Sequence, residues 1–127
     1  MSLGVELISI YKCLCDETRL RVLHLLGRQP LCVCHFQQIL EAPQVKISKH
    51  LAYLREHGMV ATRREGAWII YSLPSAPSAE LSANLSCLQD CASENAVFRS
   101  DLRRMKAALN SCGGPLANCC NSTPTSS

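Results

Sequence analysis

The stretch from Gln37 to Leu54, QQILEAPQVKISKHLAYL, carries helical periodicity on both sides of one proline, Pro43. Proline is tolerated in the first turn of a helix and disruptive in its interior, because it lacks an amide proton and its ring collides with the preceding turn. The stretch is therefore expected to form two short helices with a break at Ala42-Pro43, a helix-turn-helix. In the second helix Ile47, Leu51 and Leu54 recur at i, i+4 and i+7, one face of a 3.6-residue period, while Gln44, Lys46, Ser48, Lys49 and Tyr53 point elsewhere. Such a helix, laid in a DNA major groove, turns polar N-terminal side chains to base edges and lysines to phosphates. The same pattern also fits a solvated amphipathic helix in an ordinary all-α domain.

The residues that follow favour the first reading. His57-Gly58 gives a helix end with glycine at the stop position. Val60 to Arg64 and Ala67 to Tyr71 are β-rich runs flanking Glu65-Gly66, which resembles a hairpin turn. A helix-turn-helix followed by a basic two-stranded wing is a winged helix, with Arg63 and Arg64 on the wing. Between Gln44 and Trp68 five basic residues oppose two acidic ones, net +3, equal to the net charge of the whole 127-residue chain. The positive excess is thus assignable to the expected nucleic-acid face.

The flanking sequence supplies scaffold. Leu7, Ile10 or Tyr11, and Leu14 give a first helix one apolar face. Asp16 can cap a second helix with Leu20, Leu23 and Leu26 as its stripe and Gly27 as its stop. After a Pro- and Ser-containing connector, Leu81, Leu85 and Leu88 mark a helix from about Ser78 to Gln89. Ser93 is expected to cap a last helix to about Asn110, striped by Phe98, Leu102, Met105 and Leu109. The expected fold is mainly α with a small β-hairpin, in the order α-α-α-α-β-β-α-α. Residues 1–110 would form one domain and 111–127 a flexible, cysteine-containing tail. No basic segment leads into a long apolar run, so neither a signal peptide nor a membrane span is expected, and the chain reads as cytoplasmic.

Nine cysteines, an odd number without a secretion signal, argue for reduced thiols. Cys32-Val33-Cys34 is the sharpest chemical feature. Thiolates are soft ligands, and a thiol at a helix N-terminus ionises more readily. Residues two apart on a helix do not face each other. One ion gripping both sulfurs should therefore unwind the first turn, which would tilt the reading helix and couple ion binding to DNA binding. Cys87 and Cys91, at i and i+4, share a face if their helix continues, and form either a second site or a half-buried pair at a helix end. Cys119-Cys120 is an auxiliary ligand pair or has no role. Cys13 and Cys15 read first as core packing and second as an extra site. His35 can join the Cys32 and Cys34 ligand set, which would tilt selectivity toward zinc. His24, His50 and His57 read as structural, surface or phosphate-facing residues. No catalytic constellation stands out, and an enzyme is not expected.

Four segments in order, DETRLRVLHLL (Asp16 to Leu26), LCVCHFQQIL (Leu31 to Leu40), VKISKHLAYLREHGMV (Val45 to Val60) and REGAWIIYSL (Arg64 to Leu73), together resemble the ArsR/SmtB family of winged-helix, metal-responsive repressors. The resemblance runs from about Leu7 to Leu73. It implies a homodimer built through terminal helices and bound to an inverted-repeat operator. It also implies release when the Cys-x-Cys pair binds arsenic(III) or antimony(III), ions that prefer three sulfurs. Arsenic-responsive members commonly carry aspartate after the second cysteine and a further cysteine three residues beyond it, where this chain has His35 and Gln37. The third ligand would then come from Cys119, Cys120, Cys87 or Cys91, or from Cys13 or Cys15 of a second subunit. Cadmium, lead or zinc as effector, and a redox-sensing thiol regulator, remain the alternatives at this point.

Overall fold

The structure, a computed structural model, describes residues 3–111. It contains α1 (Leu3–Leu14), α2 (Glu17–Leu26), β1 (Leu31–Cys32), α3 (Val33–Leu40), α4 (Gln44–Glu56), β2 (Ala61–Glu65), β3 (Trp68–Ser72), α5 (Ala79–Ala92) and α6 (Ala96–Ser111). The helical order and the hairpin are those expected from the sequence. The two-residue strand β1 is an addition, too short to leave a periodicity.

Local chemistry sets the boundaries. Asp16 is extended, and its carboxylate accepts the Arg19 N–H at 3.0 Å, which satisfies one of the free donors at the start of α2. Pro43 is the N-cap of α4, where the missing N–H costs nothing. Between α3 and α4 the chain reverses through Glu41, a non-glycine residue in the left-handed region (φ 54°, ψ 48°). Gly66 turns the β2–β3 hairpin with φ 64°, a conformation that favours glycine. Ser78 caps α5 by accepting the Leu81 N–H at 3.1 Å.

Two sequence expectations are corrected. Ser93 does not cap the last helix; it ends α5, and Asn95 Oδ1 caps α6 by accepting the N–H groups of Val97 and Phe98 at 2.9 and 3.3 Å. Consequently α5 runs three residues past Gln89 and includes Cys91. Of the alternatives on α1, Ile10 is buried while Tyr11 is 55% exposed.

The sheet is antiparallel in the order β1-β3-β2. Leu31 pairs with Tyr71 and Cys32 with Ile70 on one edge of β3, while Arg63 pairs with Ile70 on the other. The main core gathers Ile10, Leu23, Leu25, Phe36, Ile39, Ile47, Leu51 and Leu54, all fully buried. The stripe Ile47, Leu51 and Leu54 is thus the packed face of α4, as its period requires. Helix α6 packs on α2 and α3 and is fixed polarly at both. Arg21 grips buried Asp101, and Arg104 donates to the Ile39 carbonyl at 3.2 Å and pairs with Glu41 at 3.5 Å. Among the described residues no helix is long and apolar enough to cross a membrane.

Candidate metal and nucleic-acid sites

Cys32 stands at the junction of β1 and α3. It is extended (φ −104°, ψ 171°), forms the last rung of β1 and serves as the N-cap position of α3. Cys34 lies in the first turn. Because Cys32 is outside the helix, the spacing argument against two facing sulfurs does not apply. The two Sγ atoms are 3.0 Å apart, so no unwinding is needed to bring them together, which corrects the sequence expectation. That separation is far longer than the ~2.05 Å of an S–S bond. Cys32 is recorded as disulfide-bonded, so ligation by both sulfurs concerns the reduced chain.

His35 completes a compact group. An N-cap residue and the residue three further on face each other across the first turn. Accordingly His35 Nδ1 lies 3.2 Å from Cys32 Sγ and accepts the Cys32 N–H at 3.4 Å. Donor atoms of Cys32, Cys34 and His35 all fall within 4.8 Å of one another. His35 is fully buried, and burial holds its pKa below the ordinary histidine value, which favours the neutral, ligand-competent imidazole. Its Nε2 has no hydrogen-bond partner among the described residues. Ile70 and Trp68 pack beside the sulfurs. The described donors therefore fit an ion taking two sulfurs and one nitrogen. A pyramid of three sulfurs would need its third from elsewhere.

The remaining cysteines separate by environment. Cys13 is buried and its thiol is pushed up to about 11 by that burial, which suits packing. Cys15 is exposed and donates to the Lys12 carbonyl at 3.1 Å, so it is not a core residue. Cys87 and Cys91 share an exposed face of α5 with sulfurs 4.0 Å apart. Cys119 and Cys120 lie outside the described residues.

The polar face of α4 is open. Gln44, Lys46 and Lys49 are exposed, Ser48 and Tyr53 are half-buried, and Arg63 and Arg64 are exposed on β2. Arg63 is joined to Glu65 at 2.9 Å. A cleft of about 460 Å³ beside α4 is lined by residues that include Arg19, Lys46, Lys49, His50 and Tyr53. Sequence periodicity did not single out Arg19. Its guanidinium lies 4.2 Å over the Tyr53 ring and donates to the carbonyls of Cys13 and Lys12, tying the end of α1 to the reading helix. Tyr53 also stacks on His57, so its ring is held on both sides. Val45, 78% exposed between Gln44 and Lys46, is a second residue that the sequence reading passed over.

Comparison with known proteins places this architecture. The family model described as "Bacterial regulatory protein, arsR family" matches residues 16–62, from the cap of α2 into β2. The arsenic resistance transcriptional regulator ArsR1 of Pseudomonas putida is 49% identical over 70 residues, 54% of this chain and 55% of that protein. The arsenical resistance operon repressor of Escherichia coli is 46% identical over 67 residues, 52% of this chain and 57% of that one. The chain thus spans little more than half the length of these curated relatives. The solved structure of HlyU from Vibrio cholerae superposes with a TM-score of 0.63 at 32% identity, covering 72% of this chain and 97% of that one. The chain belongs to the arsR family of bacterial regulatory proteins.

Proposed function

We propose that the protein is a cytoplasmic, homodimeric transcriptional repressor that binds an inverted-repeat operator and is released by a thiophilic metalloid, arsenic(III) or antimony(III), at Cys32 and Cys34. The observation that carries the effector reading is the pair of sulfurs 3.0 Å apart at the head of α3, the helix that leads directly into α4. The names of the Pseudomonas and Escherichia relatives, which concern arsenic resistance, support the metalloid. The third sulfur comes from outside the α3 cluster, with Cys119 and Cys120 as the first candidates.

The DNA contacts divide by chemistry. Gln44, Ser48 and the exposed methyls of Val45, at the start of α4, face base edges, where an apolar group suits a thymine methyl. Lys46, Lys49, Arg63 and Arg64 neutralise phosphates, and Tyr53, braced by Arg19, orients the middle of the helix.

His35 favours a second reading, in which cadmium, lead or zinc is the effector and the imidazole is its third ligand. Fluorescence anisotropy of the reduced protein on an inverted-repeat duplex, titrated with arsenite, antimonite, cadmium, lead, zinc and peroxide, separates the readings. Release by arsenite or antimonite alone supports the metalloid. Release by a divalent ion alone transfers the site to the mixed sulfur and nitrogen set. Release by peroxide alone replaces both with a thiol redox switch, and absence of DNA binding overturns the repressor.

A further inference from the structure

We propose that Cys87 and Cys91 form a separate two-thiolate site on α5 that chelates a soft, low-coordinate monovalent cation, with Cu(I) as the representative ion. The residues are one turn apart on an uninterrupted helix, both exposed, with sulfurs 4.0 Å apart. Rotation of two solvent-facing side chains adjusts that distance to the ion without disturbing the core.

The surroundings select the sign of the ligand. The pair occupies the last two turns of α5, the negative pole of the helix, and that final turn contains no basic residue. Asp90 adds a carboxylate beside Cys91. A hydrogen bond with Cys87 and the charge of that neighbour push the Cys91 thiol above its ordinary value, so the pair resists becoming a bare dithiolate. A cation bound between the sulfurs removes that repulsion.

The donor count selects the class of ion. Among the described residues the group Cys32, Cys34 and His35 is the only one to bring three donors within 4.8 Å, so this pair offers two sulfurs and no third donor. Zinc ordinarily takes four ligands in a structural site. Thiolates in a small set suit Cu(I). The step balances without an oxidant: one monovalent ion and two thiols give a bis-thiolate complex of charge −1, with two metal–sulfur bonds formed and two protons released to solvent. On the opposite side of the helix Gln89 donates to the His24 carbonyl at 3.1 Å, so the turn bearing the thiols is anchored to α2 before the ion arrives.

The test uses the fully reduced, full-length protein, titrated anaerobically with Cu(I) against a colorimetric Cu(I) chelator. Cys87→Ser and Cys91→Ser are each expected to lose one tight equivalent per chain, and the double variant to lose no more than either alone. The same equivalent persists in Cys32→Ser/Cys34→Ser, which separates this site from the effector reading above, and its filling releases two protons per ion. Unchanged stoichiometry and affinity in both single variants overturns the proposal. So does loss of the equivalent in the Cys32→Ser/Cys34→Ser protein. Circular dichroism verifies the fold of each variant, and Cys91→Ala replaces any serine variant that fails it.

Discussion

Arg21 holds Asp101 through two parallel hydrogen bonds, Nε to Oδ2 at 2.9 Å and Nη2 to Oδ1 at 2.8 Å, joining α2 to α6 across 80 residues of chain. Asp101 is 1% exposed and Arg21 only partly so. Removing the carboxylate leaves a guanidinium without its fork partner, a change that costs about 3–5 kcal/mol for fully buried pairs. Partial exposure of Arg21 sets the expectation for Asp101→Ala near the lower end, about 3 kcal/mol in urea denaturation. A loss below ~1 kcal/mol would show that water replaces the carboxylate.

Glu41 occupies the left-handed region at the turn between α3 and α4, which costs an ordinary residue roughly 1–2 kcal/mol. Asparagine tolerates that region better, so Glu41→Asn is expected to stabilise the fold by up to about 1 kcal/mol. The ion pair it gives up, to Arg104 at 3.5 Å, is between exposed groups and worth little. A destabilised variant would assign the 3.5 Å contact a larger role than exposed pairs ordinarily have.

Stability should fall with acidity through His24. This residue is buried against Phe98, with its Nδ1 lacking a hydrogen-bond partner among the described residues. Burial first, and the charge of Arg28 second, lower its pKa, against an opposing pull from Asp101. Below pH ~6.5 the unfolded chain binds a proton that the folded chain refuses, so stability drops by at most ~1.4 kcal/mol per pH unit until the folded value is reached. The His24→Leu variant should show a flatter decline between pH 7.5 and 5.5. An identical decline would assign the effect to other groups.

Lys49→Ala and Arg64→Ala should weaken binding to every duplex and reduce the salt slope by about 0.9 each, the value of one phosphate contact. An unchanged slope removes the residue from the contact set.

In the effector assay Cys32→Ser or Cys34→Ser should keep operator affinity and lose release. His35→Gln, which retains an acceptor for the Cys32 N–H, decides the metal class. Under the mixed-ligand reading cadmium or zinc binding weakens by at least about tenfold, the least that loss of even a supporting group costs. Under the three-sulfur reading arsenite release is unchanged.

The elements legible in the sequence were those with local chemical causes. Pro43 fixes the head of α4, the 3.6-residue stripe fixes its buried face, and Gly66 fixes the hairpin. The geometry of the thiol site was not legible, because it depends on a two-residue strand that exists only through pairing with β3, nearly forty residues away. Without that strand Cys32 reads as helical and its sulfur as turned from Cys34. Once it is an N-cap, His35 follows from the spacing alone, since Cys-x-x-His mimics the reciprocal cap of Ser-x-x-Glu. Arg19 left no comparable sign: its contact with Tyr53 joins different helices and has no period to betray it.

Cys32 pairs with Ile70, and Ile70 pairs with Arg63. A sulfur ligand and a basic wing residue are therefore the two ends of a single rung, two strand spacings or roughly 10 Å apart. The sheet works as a short crossbar: a tug on the thiol end is felt at the guanidinium end through backbone hydrogen bonds, with no helix in between. A bound ion thus has two grips on the duplex, one through α3 into the groove-reading helix and one through the crossbar into the wing. Loosening both at once needs only the displacement of one residue.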